Sequence, residues 1–150
     1  MTRRGVQGFD GQLLRARREA AGLSVSELAR LAGVAPQDVS KYESGTTKPG
    51  PDRLAALAEC VGVKPLDLVD REELGDGLKA LRTAAGFTQE ILAGQAGPDM
   101  TLSRLKSLEL GNVRRLPHAD AAALAVALGT TVEAVRAAHQ WDVDHGQEVT

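Results

Sequence analysis

Apolar residues recur at three- and four-residue spacing through most of this chain, and each such stretch is closed by glycine or proline. Leu14 and Ala21 mark one face of a predicted first helix over 11–21, which stops at Gly22. Ser24 opens a second, with Glu27 three residues on as its capping-box partner, Leu28 and Leu31 as core positions and Gly33 as the stop. Pro36 suits the first position of a third, which turns Val39 and Tyr42 inward and ends at Gly45. A fourth is predicted over 51–61, with Leu54, Leu57, Ala58 and Val61 as its stripe, and a fifth over 65–69. The same punctuation then returns. Helices predicted over 76–85, 88–96, 102–110, 117–128 and 131–138 repeat the set, with Thr130 and Glu133 as a further capping box.

The anchors of the two halves fall in one order: Arg18/Arg82, Gly22/Gly86, Leu28/Leu92, Ala29/Ala93, Gly33/Gly97, Glu43/Glu109, Gly45/Gly111, Leu57/Leu124 and Gly62/Gly129. A duplicated unit of about 58 residues near the lower limit for an independent core implies two small domains. The expected class is all-α, with five helices per domain. The first domain is expected over 10–70, a linker over 71–75, the second domain over 76–139 and a loose acidic tail over 140–150. Trp141 is the exception in that tail, a residue suited to docking on the second core or to touching a partner. Residues 1–9 are expected to be mobile.

Aromatics make up only 3% of the 150 residues, so the cores must be packed with small aliphatics. The single cysteine, Cys60, cannot form an internal disulfide, which fits a reducing compartment and a filler role. No signal peptide and no run long enough to cross a bilayer is legible, so a cytoplasmic, nucleoid-associated protein is expected, with no membrane partner. The three histidines and the cysteine lack metal-ligand spacing, no phosphate loop is present, and no nucleophile sits beside a base. No cofactor and no enzyme activity are expected. The net charge of −2 excludes a globally basic nucleic-acid binder. Any cationic surface must be local, and Arg3/Arg4, Arg15, Arg17, Arg18 and Arg114/Arg115 are the candidates.

The stretch 25–44 carries the central inference. Small Ala29 lets the third helix approach the second, Gly33 can take the positive φ of a tight reversal, and Leu28, Val34, Val39 and Tyr42 lock the pair. On these residues, and on the string LRARREAAGLSVSELARLAGVAPQDVSKYESGTTKPGPDRLAALAECVGV, the chain resembles the lambda-repressor/Cro-like, or XRE, helix-turn-helix family. The likeness covers about 58 residues in the first unit and, more weakly, about 60 in the second. It implies a pair of lambda-repressor-like DNA-binding domains whose third helices lie in the major groove. Carried over by position, Gln37, Asp38, Ser40 and Lys41 would face bases or adjacent phosphates, Gln37 pairing with adenine and Asp38 accepting from a cytosine amine. Ser24, Arg17, Arg18, Thr46 and Lys48 would take phosphates.

Two departures stand out. The family's Gln at the start of the second helix is Val25 in unit one but is kept as Gln89 in unit two. Between Gly97 and Leu105 unit two has two more residues than Gly33–Val39, which should displace its third helix. There Ser103, Arg104 and Lys106 replace Gln37, Asp38 and Ser40, and Asn112 and Arg114 extend the charge. The expected function is a DNA-binding transcriptional regulator of bacterial or phage type, working as a repressor on double-stranded DNA. Homodimerisation, or a protein partner held by the second unit, is expected as an addition. The alternative is an interaction module, such as an antitoxin or an adaptor for polymerase or sigma factor.

Overall fold

The structure is a computed structural model that describes residues 5–146, so Arg3 and Arg4 lie outside the described residues. The chain divides into two compact units that meet at Leu74 and Gly75. Unit one contains α1 (Gly11–Ala20), α2 (Val25–Ala32), α3 (Pro36–Ser44), α4 (Pro51–Cys60), a 3-10 turn (Pro65–Leu68) and the short α5 (Arg71–Leu74). Unit two contains α6 (Leu78–Ala85), α7 (Gln89–Gln95), α8 (Leu102–Glu109), α9 (His118–Leu128) and α10 (Val132–Gly146). Both are all-α; among the described residues the nearest thing to a strand is an isolated bridge between Phe9 and Val69.

Local chemistry explains most boundaries. Asp10 caps α1 by accepting from the Gln12 N–H at 2.9 Å. Ser24 Oγ accepts from Glu27 N at 3.0 Å while Glu27 Oε1 accepts from Ser24 N at 2.9 Å, completing the expected capping box. That backbone bond also holds the Glu27 carboxyl below its ordinary pKa. Ser24→Ala is expected to lower unit-one stability by about 1 kcal/mol, seen as an earlier helical melt by circular dichroism. Gly33 closes α2 at φ 74°, in the left-handed region, as the reversal into α3 requires. In unit two the cap before α10 is Thr131, which accepts from Ala134 N at 3.0 Å, one residue beyond the expected Thr130.

Each core is aliphatic. In unit one Leu14, Leu28, Val39, Leu54, Leu57 and Leu68 are buried; in unit two Leu78, Leu92, Leu105, Leu108, Leu124 and Val135 are buried together. Cys60 is half-buried and its thiol pKa is raised by burial, which suits a filler and not a reactive group.

Further expectations change. Leu31, expected in the core, is exposed. Residues 5–9 are tied down: Val6 and Phe9 are buried, Val6 N donates to the Pro49 carbonyl at 2.8 Å, and Phe9 sets its ring edge against Tyr42. The expected linker is helical over Arg71–Leu74, with Leu74 buried. The expected loose tail continues α10 as far as Gly146, and Asp142 within it is buried. Its Oδ2 accepts from the Leu78 N–H at 2.8 Å, capping α6, whose N-cap Gly77 has no side chain to do so. A Cβ at Gly77 would collide with that carboxyl, so the glycine is what admits it.

Candidate nucleic-acid interface

On α3 the apolar positions Val39 and Tyr42 point inward, which turns Gln37, Ser40 and Lys41 outward, and all three are exposed. Helix periodicity places Gln37, Ser40 and Lys41 on one stripe, three and four residues apart. Among the described residues neither the Gln37 nor the Lys41 side chain has a hydrogen-bond or ion-pair partner. The other unit-one candidates Arg17, Ser24, Thr46 and Lys48 are exposed as well. Thr46 shares a 2.8 Å hydroxyl hydrogen bond with Ser44, and Lys48 makes a loose 3.9 Å pair with Glu73. Both contacts are at the surface, where such pairs contribute little.

Arg18 does not belong to this surface. It is buried, donating from Nε and Nη2 to the two carboxylate oxygens of Glu43 at 2.6 and 3.1 Å and from Nη1 to the Leu23 carbonyl at 2.9 Å. The bond from Glu43 raises its pKa above the ordinary arginine value. Unit two repeats the arrangement with Arg82, Glu109 and the Phe87 carbonyl at 2.7, 3.0 and 3.0 Å. The pair staples the first helix of each unit to the third, and so sets the angle at which the third is presented. Sequence reasoning found both members as repeated anchors but assigned the arginine to phosphate; their joint recurrence was the signal of a pair.

Asp38 also has another engagement. Arg53 Nη1 reaches Asp38 at 3.5 Å and the Tyr42 hydroxyl at 2.9 Å, so the carboxylate faces α4. In unit two the same two helical positions exchange charge: Arg104, third residue of α8, bonds Asp120, third residue of α9. Arg104 is therefore held against α9. Gln89 donates to Glu109 at 3.0 Å, which supplies the buttress that Val25 cannot. Two of the six polar residues expected to contact DNA from unit two, Gln89 and Arg104, are thus engaged within the unit. Ser103, Lys106, Asn112 and Arg114 remain exposed. The lengthened turn is accommodated by burying Met100, with Thr101 then capping α8 through the Arg104 N–H at 3.1 Å. In unit one, by contrast, α3 starts on Pro36 with no side-chain cap.

A sequence profile described as a helix-turn-helix domain matches residues 11–71 and again residues 73–138, which together account for most of the chain. The chain belongs to the helix-turn-helix domain family. It holds two tandem copies of that domain. An HTH-type transcriptional regulatory protein of Methanocaldococcus jannaschii is 35% identical over 93 residues, 55% of this chain and 29% of that protein. Uncharacterized HTH-type transcriptional regulators of Sinorhizobium medicae and Sinorhizobium fredii are 33% and 37% identical over 67 residues. Those matches span 45% and 43% of this chain and 48% and 47% of the relatives, so the chain covers less than half of each. No solved structure matches. In helix-turn-helix terms, α2 and α3 form the motif of the first copy, and α7 and α8 that of the second. No single helix among the described residues is long and apolar enough to cross a membrane.

Proposed function

We propose that this helix-turn-helix chain is a sequence-specific, double-stranded-DNA-binding transcriptional regulator, cytoplasmic and nucleoid-associated, that represses by occupying its site. The observation that carries the reading is the outward row Gln37, Ser40 and Lys41: exposed, on one stripe, and mounted on a helix fixed by the buried Arg18–Glu43 pair. An amide, a hydroxyl and an amine at that spacing suit base edges in the major groove. Arg17, Ser24, Thr46 and Lys48 supply phosphate contacts that set register without reading sequence. Ser103, Lys106, Asn112 and Arg114 give unit two a second, differently charged contact. The relatives' names and the family membership support the same assignment.

Gln37→Ala combined with Lys41→Ala is expected to weaken specific binding at least tenfold, about 1.4 kcal/mol, in a gel shift at fixed salt, since a good base contact is worth about 1–3 kcal/mol. Binding of a random duplex should change less. Equal affinity of variant and parent for the selected site would remove α3 from the interface. The wild-type affinity should also fall steeply as salt rises.

A second reading, a protein-binding role for unit two, rests on Leu110 and Val126, which are 60% and 83% exposed. It predicts salt-insensitive binding of a partner or second copy that tolerates changes at Gln37 and Lys41.

A further inference from the structure

Unit two has a cleft of about 540 Å³ where the loop between α8 and α9 faces α10. Arg114, Arg115 and Arg136 line it, together with His118 and Gln140, and no carboxylate does. That composition runs against its surroundings, because residues 76–150 hold 7 Lys and Arg against 9 Asp and Glu. Five arginines elsewhere are matched, Arg15 to Glu19, Arg18 to Glu43, Arg53 to Asp38, Arg82 to Glu109 and Arg104 to Asp120, whereas Arg17 and Arg30 stand singly on the surface of unit one. Among the described residues, none of the three cleft arginines forms an ion pair.

The walls are fixed. Arg136 Nη1 donates to the Leu116 carbonyl at 3.0 Å, and His139 Nε2 lies 2.6 Å from the Val113 carbonyl, so α10 holds the loop at two points. The eleven-residue helix α9 also starts here: its N-cap, Pro117, provides no side-chain cap, which leaves first-turn N–H donors for an outside acceptor. Unit one fills the corresponding place. There Gly5 packs against Lys48, Val6 N donates to Pro49, and Lys48 is matched by Glu73.

Three guanidiniums without a carboxylate partner line one cleft, two of them free of any internal side-chain bond, and their planar forks of N–H donors suit the oxygens of a phosphoryl group. We propose that this cleft binds a phosphate-bearing anion, supplied by a free phosphorylated small molecule or by a nucleic-acid strand. None of its residues lies on the reading helix of unit one, and it shares only Arg114 with the DNA contact proposed for unit two.

The test is a titration of the full chain with inorganic pyrophosphate, and separately with a random-sequence duplex, following the backbone amide resonances of Arg115, Leu116, Arg136 and Gln140. Saturable shifts with pyrophosphate, weakened at least tenfold in Arg115→Gln and in Arg136→Gln, are expected for a free ligand. Saturable shifts with the duplex alone, equally sensitive to those variants, assign the site to strand phosphate. No saturable shift with either probe, or unchanged binding by Arg115→Gln, overturns the proposal. Arg115→Gln breaks no internal bond and therefore decides the matter even if Arg136→Gln unfolds. The Gln37 and Lys41 variants should leave the pyrophosphate shifts unaltered, which separates this outcome from that of the α3 reading.

Discussion

Glu109→Ala is expected to unfold unit two under conditions in which unit one stays folded. The Glu109 side chain is only 3% exposed and accepts three hydrogen bonds, two from Arg82 and one from Gln89. Removing it leaves a buried guanidinium with the Phe87 carbonyl as its remaining partner, and an orphaned amide beside it. Breaking a buried pair from one side costs about 3–5 kcal/mol, much of the total for a domain of this size, which is roughly 4–11 kcal/mol. The chain has one tryptophan, Trp141, and it lies in unit two, so its fluorescence follows that unit while circular dichroism follows both. The midpoint by fluorescence should fall by more than about 10 °C. Glu43→Ala should lower the other transition, by less, because Val25 leaves that carboxylate without a third donor. A fluorescence midpoint within a few degrees of the parent's would mean that the pair contributes little to the second fold.

Unit two should also lose stability as the solution becomes more alkaline, through Asp142. Burial pushes this carboxyl up to about 7 from an ordinary value of 3.8; Glu109 adds to the rise, while the Leu78 N–H, Lys79 and His145 oppose it. Between about pH 4 and pH 7 the folded unit holds a proton that the unfolded chain has released, so stability declines as pH rises through that window and levels off above it. The expected difference between pH 5 and pH 8 is on the order of 1–2 kcal/mol. Asp142→Asn keeps an oxygen to accept from Leu78 but cannot ionise, so it should flatten this dependence and stabilise the unit at pH 8. Parallel pH profiles for the two proteins would show that Asp142 is not the titrating group.

Much of the fold was legible because its boundaries are written in local chemistry. The Ser24 capping box, the positive-φ glycine Gly33 and Pro36 at a first helical position act within a few residues of themselves. The repeat then doubled every such signal. What escaped notice acts across the chain. The polar composition of 140–146 reads as a tail, because nothing nearby reveals that Asp142 is needed by a bare helix start 64 residues earlier. Arg18 reads as one more cation on a basic helix until its partner in α3 is considered. The exchanged pairs Asp38–Arg53 and Arg104–Asp120 are invisible for the same reason: each residue looks like part of an outward face, and only packing shows it turned towards α4 or α9. The row Gln37, Ser40 and Lys41 was legible since helical spacing from Val39 and Tyr42 is enough to aim it.

The cap supplied by Asp142 bears on how the protein is born. Chains emerge from the ribosome amino end first, and small domains form as soon as their own residues are free. The contacts described above for unit one all lie within residues 5–74, so they can form once residue 74 has cleared the exit tunnel. Unit two cannot close α6 until its final helix has been made. The two heads therefore mature in sequence, and a nascent chain halted around residue 135 would carry a finished first head beside an open second one.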